Sequence, residues 1–145
     1  MKEGRFTMVN LATRETKGKL EDLIEILIAT EESNYEDGRF QNGPIMVEIK
    51  PTEIENEEQT IKVYIPVNEE VQMIGGDGVR FGWEPEIDIE KVVRNRVPFD
   101  EGIEDSLNKL KNYLQGKGLE YEDRLILLFS KIYDEYWVDM VIPYV

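Results

Sequence analysis

The sequence predicts an α+β fold, a pseudo-twofold duplication of a β-α-β-β unit, with antiparallel sheets, two main helices and a central cleft. Three observations support this prediction. An alternating apolar strand that ends in Ile-Pro occurs at 61–67 and again at 138–144, half a chain apart. Each copy is preceded by a segment whose apolar residues recur at helical spacing. Further strand-like segments flank each helical segment in the same order.

The length of the chain fits a single domain. A chain of 145 residues can bury a core without disulfides or metals. Hydrophobic residues make up 41% of the sequence and charged residues 33%, a balance typical of folded globular proteins. We therefore expect one domain over 1–145, with a first repeat unit over about 4–70 and a second over about 80–145.

The first unit is predicted as strand, helix, strand and strand. Residues 6–12 mix apolar and small polar side chains, which indicates a strand, and 17–31 has the spacing of an amphipathic helix. Residues 44–50 alternate between apolar and polar side chains until Pro51 stops the strand. The strand 61–67 completes the unit. The side chains predicted to share its core face are Ile61, Val63, Ile65 and Val67.

The second unit repeats this order. Its predicted bounds are 89–97 for the first strand, 103–114 for the helix, and 124–132 and 137–142 for the last two strands. Asp100 is placed to cap the helix through its side-chain oxygen, and Gly116 or Gly118 is expected to end it. Matching the two Ile-Pro strands predicts that Val138, Met140 and Ile142 face the core.

The glycine cluster Gly75-Gly76-Asp77-Gly78 lies between the units. A glycine-rich segment can cradle phosphate, but this one lacks the Gly-Lys-Ser/Thr ending of a P-loop and the spacing of a dinucleotide fingerprint. We therefore interpret it as a connecting loop and expect no cofactor there.

The net charge of −14 limits the classes of partner. The chain has 31 acidic and 17 basic residues, and this field repels nucleic-acid phosphates and anionic lipid headgroups. We therefore expect no direct nucleic-acid contact and no membrane contact. A small amphipathic or cationic molecule, or a basic protein, is the expected partner. The same acidity also serves solubility, which is the simpler interpretation.

The sequence contains neither cysteine nor histidine. A Ser-His-Asp or Cys-His nucleophilic centre, a Cys/His zinc site and a histidine general base are therefore excluded. The residues at the N-terminus lack the apolar run of a signal peptide, so the expected location is the cytoplasm.

The two units, each closed by an Ile-Pro strand, resemble the GyrI-like effector-binding family, which also supplies the ligand-binding half of AraC-type and MerR-type regulators. The resemblance covers essentially the whole chain. It implies two similar modules packed about a pseudo-twofold axis around a pocket for a small molecule, often a hydrophobic cation. It also implies an acid facing the pocket four residues before the final proline, which here is Asp139. Because the chain begins directly with the first predicted strand, we expect a stand-alone member without a DNA-binding segment.

Strand alternation gives Asp139 a physical interpretation of its own. With alternate residues facing the core, Trp137 and Asp139 lie on the opposite face, where a carboxylate and an aromatic ring suit an apolar cation. The other interpretation is that Asp139 simply faces solvent. The remaining candidate ligand-binding residues are Tyr64, Glu48, Met46 and Lys62. Lys62 could also neutralise Asp139 from the other unit.

Three functions remain open at this level. The first is non-catalytic binding of an amphipathic, cationic small molecule. The second is an accessory role on a basic protein partner, such as an immunity protein, a chaperone or a gyrase inhibitor, through acidic stretches at 53–58 and 84–90. The third is hydrolysis of a small molecule by a carboxylate pair formed by Glu48 and Asp139.

Overall fold

The structure, a computed structural model, describes residues 1–68, 75–76 and 79–145. Two helices and seven strands lie within these ranges. In chain order they are β1 (Lys2–Gly18), α1 (Leu23–Glu36), β2 (Ile45–Ile49), β3 (Gln59–Pro66), β4 (Gly75–Gly76), β5 (Val79–Pro98), α2 (Ile103–Gly116), β6 (Leu125–Ile132) and β7 (Glu135–Pro143). The order β-α-β-β therefore occurs twice, as β1-α1-β2-β3 and as β5-α2-β6-β7.

The strands form one antiparallel sheet with the order β1-β3-β2-β6-β7-β5-β4. The strand β1 also pairs with β5, so the six long strands close into a ring. The two units meet where β2 pairs with β6, and that pairing is centred on Val47 opposite Leu127. The predicted α+β class, with antiparallel strands and two main helices, is confirmed.

The main core lies between the helices and one face of the sheet. Leu23 and Leu27 of α1 and Leu107, Leu110 and Leu114 of α2 pack there against strand side chains. The strand residues whose core-facing direction was predicted are all members of this cluster, and they are Ile61, Val63, Ile65, Val67, Val138, Met140 and Ile142. The predicted alternation of both Ile-Pro strands is therefore confirmed.

A second apolar cluster occupies the opposite face of the sheet and consists of strand residues alone. We call it the strand cluster, and its buried members are Phe6, Leu11, Met46, Tyr64, Ile87, Val92, Ile126, Leu128 and Val141. Because the strands close into a ring, side chains on this face reach one another without a covering helix. Both faces of the sheet are thus packed in its central part.

The first strand of each unit is longer than predicted. The prediction of 6–12 covers only the middle of β1, and 89–97 covers only the second half of β5. The polar residues beyond these bounds form strand because their backbones pair with neighbours: β1 binds β3 over Leu11–Gly18 and β5 from Lys2 onward. Since β1 runs on to Gly18, helix α1 begins six residues later than predicted, after a 3₁₀ turn at Leu20–Asp22.

The predicted cap of the second helix is wrong. A 3₁₀ turn at Phe99–Glu101 places Asp100 too early in the chain, and Gly102, with φ of 93°, stands at the N-cap without a side-chain hydrogen bond. The other end matches the prediction, because α2 ends at Gly116 and Gly118 follows with φ of 69°.

The predicted loop at 75–78 falls only partly within the described residues. Gly75 and Gly76 pair with Val79 and Arg80, while Asp77 and Gly78 lie outside those residues. In the part of the chain that the structure describes, neither helix has the length and apolar composition needed to cross a membrane.

Candidate functional site

Asp139 is bound by two arginines of the neighbouring strand. In the register of β5 and β7, Asp139 lies directly opposite Arg96. The Arg96 Nε and Nη2 groups donate hydrogen bonds to the two carboxylate oxygens at 2.9 and 3.1 Å. Arg94, two residues away on the same face, donates from Nη2 at 3.3 Å. The Asp139 side chain is 15% exposed and that of Arg96 is 59% exposed. The carboxylate is therefore held from the solvent side by a guanidinium that is itself largely in water.

A basin of about 550 Å³ opens beside this ion pair. Its charges are mixed, with Asp139 as the acid and three basic side chains around it. The lining residues are Met1, Lys2, Arg94, Asn95, Arg96 and Asp139. The ring of Phe6 adjoins this ion pair, with its centroid 5.9 Å from the guanidinium carbon of Arg94. The basin therefore joins a charged rim to the edge of the strand cluster.

Trp137 lies on the same strand and face as Asp139, about 7 Å further along. It is partly buried and lines a separate depression of about 440 Å³, together with Ile132, Tyr133, Asp134 and Glu135. The predicted Trp137 and Asp139 pair is thus placed on one face, with the two side chains in neighbouring depressions.

Met46 and Tyr64 belong to the buried strand cluster. They lie opposite each other on β2 and β3, and Met46 also faces Leu128, the residue that pairs with Asp139. Met46 is fully buried and Tyr64 nearly so. These two candidates therefore lie inside the strand cluster, which forms a packed floor between the halves, and neither of them lines the basin beside Asp139.

Glu48 and Lys62 are held in ion pairs at the other side of this floor. Arg124 Nη2 donates to Glu48 Oε1 at 2.7 Å, and the Tyr64 hydroxyl donates to the same oxygen at 3.2 Å. Burial, with the nearby Glu48 charge, raises the pKa of the Tyr64 hydroxyl, so Tyr64 is a neutral donor. Lys62 Nζ donates to Glu84 Oε1 at 2.7 Å and lies 5.0 Å from the Tyr64 ring centroid.

The expected neutralisation of Asp139 by Lys62 is wrong. Strands β2 and β6 lie between β3, which carries Lys62, and β7, which carries Asp139. In the six-stranded ring these two strands are three positions apart in either direction, so they lie on opposite sides of the ring. Lys62 therefore pairs with Glu84, and Asp139 pairs with arginines of β5.

The two acids of the hydrolytic alternative are not brought together. Glu48 on β2 and Asp139 on β7 are separated by β6, which puts their Cα atoms roughly 12 Å apart along and across the sheet. Each carboxylate also has its own arginine partner. Each acid is thus engaged with its own arginine, and the two do not form a hydrogen-bonded pair.

The acid dependence of stability tests the Asp139 pairing. Hydrogen bonds from Arg96, with the charges of both arginines, hold the pKa of Asp139 below its ordinary value of 3.8. A carboxyl with a lowered folded pKa stabilises the fold above its unfolded pKa, and this contribution is lost as the pH falls through the folded value. We expect Asp139→Asn to lower the free energy of unfolding at pH 7 by about 1–2 kcal/mol, and this deficit to be smaller at about pH 3, below the ordinary carboxyl pKa. Urea unfolding of the wild type and the variant at both pH values measures this deficit. A deficit that is equal at the two pH values would contradict the pairing.

Sequence reasoning missed the arginine partners, Arg94, Arg96 and Arg124. A local signal existed for two of them, since Arg94 and Arg96 alternate on one strand and must share a face. Which carboxylate they meet depends on the register between β5 and β7, and that register is not encoded locally.

The chain shares its fold with the C-terminal domain of EcmrR, a GyrI-like effector-binding domain fold. The crystal structure of that domain matches with a TM-score of 0.70 at 11% identity, covering 99% of this chain and 97% of the other. EcmrR in a cryo-EM structure of the EcmrR–DNA complex in EcmrR-RPo matches with a TM-score of 0.68 at 10% identity. That match covers 99% of this chain and 57% of EcmrR, so the chain spans a little over half of that protein.

A hydrolase from Listeria innocua matches with a TM-score of 0.47 at 11% identity, covering 99% of this chain and 92% of the other. Likeness at that level supports no argument about activity. No protein-family model matches the chain, and no curated protein matches it. At these identities the likeness to EcmrR establishes the fold.

Proposed function

We propose that this chain is a non-catalytic binding domain for a small amphipathic molecule that carries a positive charge. The observation that carries the proposal is the Arg96 guanidinium on Asp139, because it is already a cation bound by two hydrogen bonds at the edge of an apolar cluster. The fold shared with the EcmrR C-terminal domain over nearly the whole chain supports a binding role.

In this proposal Arg96 is an internal competitor of the ligand. Its side chain is largely exposed, so it can leave Asp139 without opening the core. The ligand's cationic group then takes its place on the carboxylate, and its apolar part lies toward Trp137 on the same strand. Glu48 and Lys62, held by their own ion pairs, keep the far side of the floor in place.

The other charged residues of the basin make the sign of the ligand's charge testable. Lys2 and Arg94 stay beside Asp139 after Arg96 leaves, and they oppose a cation. The net charge of −14 favours a cation at longer range. A ligand that bound the arginines instead of the carboxylate would be an anion, and it would respond in the opposite way to substitutions of Asp139 and Arg96.

A pair of probes of equal shape and opposite charge tests the proposal. Tetraphenylphosphonium is expected to bind and to quench the fluorescence of Trp137, whereas tetraphenylborate is not. Asp139→Asn is expected to weaken phosphonium binding about tenfold, which corresponds to the loss of one charge-assisted contact of about 1.4 kcal/mol. Asp88→Asn removes an acid of β5 that pairs with Arg5, so it is the matched control and should leave the affinity unchanged. Unchanged affinity in Asp139→Asn, or preferred binding of the borate, would refute the cationic assignment.

A basic protein partner is the second candidate, and one observation favours it. Glu55, Glu57 and Glu58 are exposed together in the turn before β3. Three neighbouring carboxylates in water attract a basic surface and speed its association. Co-purification with a stoichiometric protein, and no response to either probe, would favour this candidate over the first.

We further propose that residues 1–145 act as one domain and that its two units arose by duplication. The repeated β-α-β-β order and the symmetric pairing of β2 with β6 support both statements. DNA is present in the complex of EcmrR, whereas for this chain we propose no direct nucleic-acid contact, because its net charge repels phosphates.

A further inference from the structure

A cavity of about 370 Å³ lies at the C-terminal end of α1, on the helix side of the sheet and so on the face opposite to Asp139. Its floor is Ile65 of β3, which belongs to the main core. Two aromatic residues at its mouth, Tyr35 and Phe40, are 77% and 66% exposed. The Phe40 backbone N–H donates to Asn68 Oδ1 at 2.9 Å, which fixes the segment after the helix. The protein thus keeps two rings in water around an apolar floor.

Three carboxylates surround these rings, those of Glu31, Glu32 and Glu36. Within the described ranges none of the three has an ion pair or a side-chain hydrogen bond, in contrast to the acids near the basin. Glu36 also lies in the last turn of α1, where the macrodipole disfavours negative charge, and that turn contains no basic residue. Burial raises the pKa of the Glu31 carboxyl. This end of the helix is therefore an electrostatically unfavourable arrangement that a bound cation would relieve.

The one basic residue at the cavity already has hydrogen-bond partners. Arg39 donates to Asn34 Oδ1 at 2.7 Å and to Asp37 Oδ2 at 2.9 Å. No arginine or lysine of the described chain lies over the ring of Tyr35 or Phe40, although six such contacts occur on other rings. Among the described residues, neither the two rings nor the three carboxylates are thus paired with a cation, although Arg39 lines the same cavity.

The second unit has the same backbone arrangement but a basic residue at the position of Glu31. Both helices have 14 residues, and each is followed by a glycine with positive φ and then by a bridge, Gln41 to Val67 or Tyr121 to Tyr144. At the position of Glu31 the second unit has Lys111, whose Nζ lies 5.7 Å from the Tyr121 ring centroid. Tyr121 corresponds to Gln41, so the second unit has a lysine on an aromatic ring at this end of its helix where the first unit has Glu31 and Gln41.

We propose that this cavity is a second binding site, for a quaternary or bulky ammonium cation with an attached apolar group. Exposed aromatic faces bind such cations through the ring quadrupole, and carboxylates add charge without requiring a donor from the ligand. The volume suits a small molecule of about this size. The site lies on the other face of the sheet from the Asp139 basin, so it goes beyond the function proposed above and does not depend on it.

Calorimetric titration with phenyltrimethylammonium tests this site, with tert-butylbenzene as the neutral analogue of the same shape. The ammonium is expected to bind in this cavity, and the neutral analogue to bind there at least about fivefold more weakly. Tyr35→Ala and Phe40→Ala should each weaken the ammonium about threefold or more, and Glu31→Gln should also weaken it. Equal binding of the two probes, or full affinity in both aromatic variants, would overturn the proposal.

Two control variants separate this site from the rest of the protein. Tyr133 is 96% exposed on a turn away from the cavity, and Tyr133→Ala should leave ammonium binding unchanged. In Asp139→Asn the ammonium should still bind in the cavity, because Asp139 lies on the opposite face. Loss of ammonium binding in Asp139→Asn would assign the cation to the basin and overturn the second site. Loss of phosphonium binding in Asp139→Asn with intact ammonium binding supports both sites.

Discussion

The Met46→Ala variant is expected to lose about 2–5 kcal/mol of its free energy of unfolding, the largest effect of a single substitution considered for this chain. Met46 is fully buried in the strand cluster, between Tyr64 on one neighbouring strand and Leu128 on the other. The strands around it form a closed ring, so they cannot collapse easily onto the space left by the removed atoms. Urea or guanidinium unfolding followed by circular dichroism measures this loss.

Val9→Ala on β1 is the matched control for Met46→Ala. Val9 is an apolar residue of the same sheet, but it is 54% exposed, and we expect its truncation to change stability by no more than about 0.5 kcal/mol. A similarly small effect in Met46→Ala would mean that the space between the halves is open and not packed. The description of the strand cluster as a packed floor between the halves would then be wrong.

The parts of the fold that could be predicted are those with a local signal. Alternation of apolar residues in the two Ile-Pro strands gave the correct core faces, because a strand turns successive side chains to opposite sides whatever its neighbours are. The helical spacing from Ile103 to Leu114 and the glycines after it located α2 for the same reason.

The ends of the long strands could not be predicted in this way. Residues at the beginning and end of β1 are polar or small, and they are strand because their backbone groups pair with β3 and β5. Such pairing depends on residues far away in the chain, so composition within a short window carries little information about it.

The ion-pair partners of the candidate residues could not be predicted from the sequence for a related reason. Pseudo-symmetry related Lys62 to Asp139 correctly as equivalent positions, but equivalence does not make two residues neighbours when β2 and β6 lie between them. The pairing of Asp139 with Arg96 follows from the register of β7 on β5, which only the assembled sheet defines. The roles of the six candidate residues in binding stay predictions.

Arg96→Gln is the second substitution with a large expected effect, and it acts on binding instead of folding. In the wild type a cationic ligand must first remove a guanidinium that donates to Asp139 at 2.9 and 3.1 Å. Glutamine keeps much of the length and polarity of the side chain but removes the competing charge. If that competition costs about 1–1.4 kcal/mol, the variant should bind tetraphenylphosphonium about fivefold to tenfold more tightly.

Arg5→Gln controls for the general loss of a positive charge from this protein. Arg5 is an exposed arginine that pairs with Asp88 on β5, and its replacement changes the net charge by the same amount. We therefore expect Arg5→Gln to bind the phosphonium with an affinity close to that of the wild type. A gain as large as that of Arg96→Gln would assign the effect to the overall field and not to competition at Asp139.

The dissociation constant of tetraphenylphosphonium for Arg96→Gln, relative to the wild type, tests most directly whether Asp139 is a cation site occupied by the protein's own arginine. The proposal predicts a dissociation constant about fivefold to tenfold smaller in the variant. An unchanged or larger dissociation constant would contradict the proposal. Tetraphenylborate binding by the wild type that is lost in the variant would also contradict it, because the arginine would then be part of the ligand's site.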